Sequence, residues 1–201
     1  MAYLPLDELR AMGFRKLGRH VQVSTRAVFY EPHLIELGDQ VRIDDFCVIS
    51  GRVTLGRNVL ITVFCNVAGG QAGVSIDDFS GLAYGCHVFA QSEDFSGRYL
   101  NNSTLPRDLR LETKKAVHIG RHCNIGTHCV IVPGVTLAEG TAVYAQSLVT
   151  KSTQPWSIYF GVPARRIKGR RKDMLALEKQ YLQQEGASEA ESVETVSPIQ
   201  S

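Results

Sequence analysis

Eighteen apolar residues recur at six-residue spacing, in four runs. They are Leu17, Val23, Phe29; Leu37, Ile43, Ile49, Leu55, Ile61, Val67; Ile76, Leu82, Val88; and Ile119, Ile125, Ile131, Leu137, Val143, Val149. Four places after each the residue is small (Val, Ala, Cys, Ser or Thr), except at His33 and Gln71, where the register slips. Neither the period of a helix nor the alternation of an ordinary strand fits such a repeat. A six-residue period is the signature of a coil of short strands, three sides and eighteen residues to the turn.

In such a coil the large residue and the small one four places later both point inward, because only a small side chain fits beside a stacked ladder. Gly38, Gly56, Gly120 and Gly126 follow ladder residues and suit the bend between sides. The pattern predicts an all-β chain, a parallel β-helix of about six coils over residues 17–153, whose continuous core no single coil could bury alone. Residues 1–16 precede it, with a short helix from Leu6 expected to cap the open end. A thirty-residue excursion, 89–118, interrupts the repeat, and so long a loop in so regular a scaffold points to function. Residues 154–185 read as a compact connection ending in a helix from Asp173 to about Glu185. The Ser- and Glu-rich segment 186–201 reads as disordered.

Composition narrows the picture. With 201 residues one domain is expected, and a net charge of +2 calls for no polyanionic partner. No apolar run reaches spanning length and the N-terminus lacks the order of a signal peptide, so a cytoplasmic location is expected. The five cysteines, Cys47, Cys65, Cys86, Cys123 and Cys129, all fall at the small inward position, where a free thiol serves as a small hydrophobe. No Cys-x-x-Cys pair points to a metal or a disulfide framework.

The hexads and the loop, together with Asn124-Ile-Gly-Thr-His-Cys-Val-Ile-Val-Pro-Gly-Val-Thr-Leu, Ala145-Gln-Ser-Leu-Val-Thr-Lys and Gly161-Val-Pro-Ala-Arg-Arg-Ile-Lys, resemble the hexapeptide-repeat acyltransferases. Within that family the chain is similar to the galactoside, maltose and nodulation-factor O-acetyltransferases and their surface-polysaccharide relatives, over roughly residues 15–170. The resemblance implies a left-handed β-helix, against the usual right-handed crossover. It further implies a homotrimer with active sites between subunits and acetyl-CoA as donor.

Coenzyme A carries phosphates, so its site needs cations and amide donors on rigid backbone. By the resemblance, Thr127, Ala145, Thr150, Lys151, Arg165 and Lys168 match the positions that line pantetheine and nucleotide. The run Arg165 to Lys172 holds six cations in eight residues. No aromatic interleaving favours a nucleic-acid partner.

Catalysis departs from the family pattern. The similar O-acetyltransferases place a histidine base near the start of the loop, whereas here Asp94, or Glu93, stands there and no histidine lies between His87 and His118. A carboxylate replaces it if desolvation raises its pKa. An amine acceptor, which loses its proton after attack, has less need of a base. Asn66 and His87 are candidates for contacting the acceptor. A zinc site from His118, His122 and His128 is disfavoured, because residues six apart lie on adjacent sides of the coil.

The sequence thus leads to an acetyl-CoA-dependent O-acetyltransferase of a sugar hydroxyl, without a metal or membrane insertion, serving surface-polysaccharide synthesis. N-acetylation of a nucleotide-linked amino sugar is the alternative, and a non-catalytic β-helix scaffold the other.

Overall fold

The computed structural model describes residues 2–194. They divide into two compact units, one through Arg170 and one from Arg171 onward.

The first unit is a left-handed parallel β-helix of about seven turns. Its three faces are three ladders, and all eighteen repeat residues stand on them. Leu17, Leu37, Leu55, Ile76, Ile119 and Leu137 form the first. Val23, Ile43, Ile61, Leu82, Ile125 and Val143 form the second. Phe29, Ile49, Val67, Val88, Ile131 and Val149 form the third. Sixteen of them are buried, and Leu17 and Phe29, at the open end, are partly so.

The expected six coils gain a further rung. Tyr159, in the strand Ser157–Gly161, pairs in parallel beyond Val143, and the strand then turns back on Ala164–Gly169 as an antiparallel hairpin. A hexad count misses it because Tyr159 stands sixteen residues after Val143, off the six-residue period. At the other end, the helix Leu6–Ala11 follows an N-terminal segment whose Leu4 amide bonds to the Val23 carbonyl (2.8 Å). Its Leu9 is buried in the core.

The slips in the repeat are local insertions. A 3-10 turn over Pro32–Leu34 delays the strand, and Ile35 fills the inward place opposite Val53 that His33 could not. Residues 69–73 push the register on, so Val74 takes the place due to Gln71. The long excursion leaves at Ala90 and returns at Val117, which pairs with Val74. Ser92, inward by counting, belongs to the excursion and is half-buried.

The glycines after the ladder residues are needed for a reason other than a bend conformation. A Cβ on Gly38 would stand 2.6 Å from the Gly56 carbonyl carbon, and one on Gly126 would stand 2.5 Å from the Ala145 amide. The left-handed backbone comes instead three residues after the ladder residue, at Gln40, Phe46, Asn58, Phe64, His122 and His128, with φ between 54° and 63°. Stacking of successive turns holds these non-glycine residues there against a cost of roughly 1–2 kcal/mol each.

All five cysteines are buried free thiols. Cys47, Cys65, Cys86 and Cys129 follow the second ladder by four residues and form a file of their own. Burial pushes the Cys123 thiol up to about 12.

The second unit holds the helix Met174–Glu194, which ends nine residues beyond the expected Glu185 and runs into the segment expected to be disordered. Residues 195–201 of that segment lie outside the described residues.

Candidate functional site

The excursion is rooted by a two-stranded hairpin, Gln91–Glu93 against Glu112–Lys114. It leaves the coil where the Ala90 amide bonds to the Ala68 carbonyl and re-enters where the Lys115 amide bonds to the Ala90 carbonyl, each at 2.9 Å. The strand Glu112–Lys114 and the extended residue Arg110 before it read Arg110-Leu-Glu112-Thr-Lys114, so charges alternate and fall on one face.

Asp94 follows the hairpin directly. The Ser96 hydroxyl donates to its Oδ2 at 2.7 Å. That bond, helped by the backbone amides of Ser96, Arg98 and Tyr99, holds the Asp94 carboxyl below the usual carboxylate range. The condition under which a carboxylate would serve as base, a pKa raised by desolvation, is not what surrounds Asp94: hydrogen bonds to the ionised form outweigh the little desolvation there. Asp94 is instead a persistent anion. Glu93 is committed elsewhere, with Oε1 3.8 Å from Arg110, whose guanidinium also bonds Glu112 at 3.0 Å.

Asn66 and His87 are paired neighbours on the third face, Asn66 half-buried and His87 exposed. The three histidines weighed as a zinc set are apart in role. His118 bonds Ser75 Oγ through Nδ1 (2.8 Å) and faces Asp77 through Nε2 (3.3 Å). His122 is buried at a corner between Phe79 and Trp156, and His128 leans over Gly85 at another corner. Among the described residues no group of three or more His, Cys, Asp or Glu could hold a metal.

The donor candidates fall into two groups. Thr127 and Ala145 stand on successive turns of one corner, where the Gln146 amide bonds to the Thr127 carbonyl (2.8 Å) and Gly126 lets the turns close up. Arg165 pairs with Phe160, whose ring meets Tyr144 beside Ala145 with centroids 6.3 Å apart. A register shift in the terminal hairpin leaves Ile167 unpaired between Arg166 and Lys168. Arg165 and Lys168, three apart, would otherwise point to opposite faces; the extra residue puts both on one. Two other arginines of the basic run serve the fold: Arg166 bonds Ser157 Oγ (2.9 Å), and Arg170 bonds the His122 and Gly140 carbonyls (2.6 and 3.1 Å). Thr150 and Lys151 are exposed just past Val149, where the third face ends.

Sequence reading missed a cavity of about 290 Å³ at the root of the excursion, lined by Gln71, Arg107, Arg110, Glu112 and Lys114. The alternation of charge from Arg110 to Lys114 was its visible signal. Gln71 could not be assigned, since only the return of the hairpin brings Lys114 to within 3.2 Å of its side-chain oxygen.

A stacked three-sided coil, an inserted loop carrying a fixed anion and a terminal hairpin presenting cations define the class of molecule. No protein-family model matches the chain. It is 34% identical over 184 residues to the dTDP-4-amino-4,6-dideoxy-D-glucose acyltransferase of Escherichia coli, covering 90% of this chain and 95% of that one. Among solved structures it is similar to AntD, an N-acyltransferase from Bacillus cereus in complex with dTDP and 3-hydroxybutyryl-CoA. That match has a TM-score of 0.90 and 37% identity, over 92% of this chain and 98% of that one. A maltose O-acetyltransferase from Clostridium difficile 630 shares the fold at 18% identity and a TM-score of 0.53, over 83% of this chain and 75% of that one. The chain belongs to the hexapeptide-repeat acyltransferases, and it is an acyltransferase.

Proposed function

We propose that the chain transfers an acyl group from coenzyme A to the amine of a dTDP-linked 4-amino-4,6-dideoxy sugar. The observation that carries this reading is a loop with no histidine between His87 and His118, whose Asp94 carboxyl is held below the usual carboxylate range by hydrogen bonds from Ser96 and nearby amides. A sugar hydroxyl must lose its proton as it attacks, and a carboxylate of depressed pKa is a poor acceptor for that proton. A neutral amine attacks with its own lone pair. Asp94 then orients an N–H and stabilises the positive charge that develops on nitrogen. The carbon–nitrogen bond forms as the carbon–sulfur bond breaks, the amine gives up one proton, and coenzyme A leaves as its thiol. The amino sugar in the name of the Escherichia coli relative, and the dTDP-4-amino-4,6-dideoxyglucose bound in a structure of the Bacillus cereus N-acyltransferase, support the amino sugar over the hydroxyl acceptor preferred from sequence.

On this reading Thr127, Ala145, Arg165 and Lys168 hold the donor along one edge of the last turns, with Thr150 and Lys151 at the next corner. Asn66 and His87 approach the acceptor. The enzyme works as a homotrimer in the cytoplasm, on a nucleotide-activated sugar before its transfer to a surface glycan. The stacked, exposed rings of Phe46 and Phe64, centroids 5.2 Å apart, give a second copy an apolar corner to cover. No helix among the described residues is long and apolar enough to cross a membrane.

The test is incubation with acetyl-CoA and dTDP-4-amino-4,6-dideoxyglucose, with the product read by mass spectrometry. An amide is expected. An ester on a sugar hydroxyl, with no acylation of the amino sugar, would return the assignment to O-acetylation.

A further inference from the structure

We propose that the cavity at the root of the excursion is the subsite for the diphosphate of the acceptor, with Arg107, Arg110 and Lys114 as its cations. Arg110 supplies the first argument. Its side chain is only 10% exposed, yet its buried Nε has no partner among the described residues. Leaving a buried donor of a charged group unmet is costly, so the group is built for an acceptor. Glu93 Oε2 is likewise buried and unpartnered, but Glu93 does not line the cavity. Glu93 from outside the lining and Glu112 from within it hold Arg110, at 3.8 and 3.0 Å, and fix where the guanidinium stands.

The charge balance supplies the second argument. Three cations and one carboxylate line the cavity, a net of +2 facing a ligand. Glu112 stays ionised, its carboxyl held below the usual range by Lys114 and then Arg110. It uses one oxygen on each partner, leaving donors on both. Lys114 spends two contacts, on Glu112 (3.1 Å) and Gln71 (3.2 Å), out of the three that an ammonium can make. Arg107 makes no ion pair among the described residues. A guanidinium fork and a point cation converging on one concave site is the chemistry that holds a diphosphate.

Position decides which diphosphate. Glu112 lines the cavity and pairs across the hairpin with Glu93, whose next residue is Asp94, so the same hairpin carries the cavity and the anion proposed to meet the amine. The donor candidates stand on the last turns of the coil. The ligand is therefore the acceptor's nucleoside diphosphate and not coenzyme A. This assignment rests on the nucleotide-sugar reading above.

The experiment is calorimetric titration of wild type, Arg107→Gln and Lys114→Gln with dTDP, inorganic pyrophosphate and coenzyme A. Both substitutions are at exposed positions, and retained coenzyme A affinity reports a folded chain. Loss of one charge-assisted contact should weaken dTDP about tenfold or more in each variant, with coenzyme A unchanged. If wild type binds dTDP and both variants bind it equally well, the subsite is overturned while the nucleotide-sugar reading stands. If wild type binds no dTDP, that reading fails. Pyrophosphate binding that the variants weaken would then uphold an anion site here, and its absence would remove the site as well. Loss of coenzyme A affinity together with dTDP would place the cations on the donor and overturn the assignment.

Discussion

Removing the Ser96 hydroxyl takes away the largest influence holding the Asp94 carboxyl down, so Ser96→Ala should raise its pKa toward that of an ordinary aspartate. A carboxyl-detected NMR titration reads this directly. The sign follows from linkage: a depressed pKa contributes above the unfolded value and is lost as pH falls through the folded one. Asp94 therefore stays charged through the working range. The acid limb of kcat/KM should follow protonation of the acceptor amine and stay in place in Ser96→Ala. Asp94→Asn keeps the shape but loses the charge, and should lower kcat/KM about a hundredfold with coenzyme A affinity unchanged. Full activity in that variant would remove the anion from the mechanism. At the donor end, Lys151→Ala and Arg165→Ala should each weaken coenzyme A by about 1.5–3 kcal/mol in calorimetric titration, with folding intact because both side chains are exposed.

Among the structural elements, the turn between faces is the most constrained. Gly38→Ala places a methyl group 2.6 Å from the backbone of the next turn, and backbone cannot swing aside as a side chain would. A loss of about 1–3 kcal/mol is expected in urea unfolding, although Gly38 touches neither candidate site. The cysteine file offers a separate check. All five thiols are at most 1% exposed, so none should react with a thiol reagent until the chain unfolds, which leaves the thiol released from coenzyme A measurable in the same assay. The terminal hairpin shows how an element can reverse a spacing argument. Arg165 and Lys168 were paired by resemblance to family motifs, but the unpaired Ile167 is what puts them on the same face.

For the whole molecule, the six-residue period settles one axis and leaves the outer surface open. Copies of the chain are expected to cover the exposed corner at Phe46 and Phe64, since cyclic symmetry closes such a contact. Light scattering should return three times the 22.2 kDa of the chain. A monomer at assay concentration would remove the shared-site arrangement and leave each chain to bind both substrates alone.

The sequence by itself determined the ladders. Every repeat residue stands where the period puts it, because a close-packed three-sided core admits one large and one small residue per side and little else. The buried cysteines and the existence of the excursion were legible for the same reason. What the tertiary structure decided was everything that departs from the period. His33, Gln71 and Ser92 gave up their inward places to Ile35, Val74 and Val117, because an insertion shifts register without changing the residues that surround it. The hydrogen bonds that hold the Asp94 carboxyl down come from Ser96 and nearby amides in a loop with no repeat to read. The cavity exists only because the hairpin returns Arg110, Glu112 and Lys114 to Gln71, some forty residues earlier in the chain. A period records contacts made again at every turn; a contact made once leaves no period, and the folded backbone has to supply it.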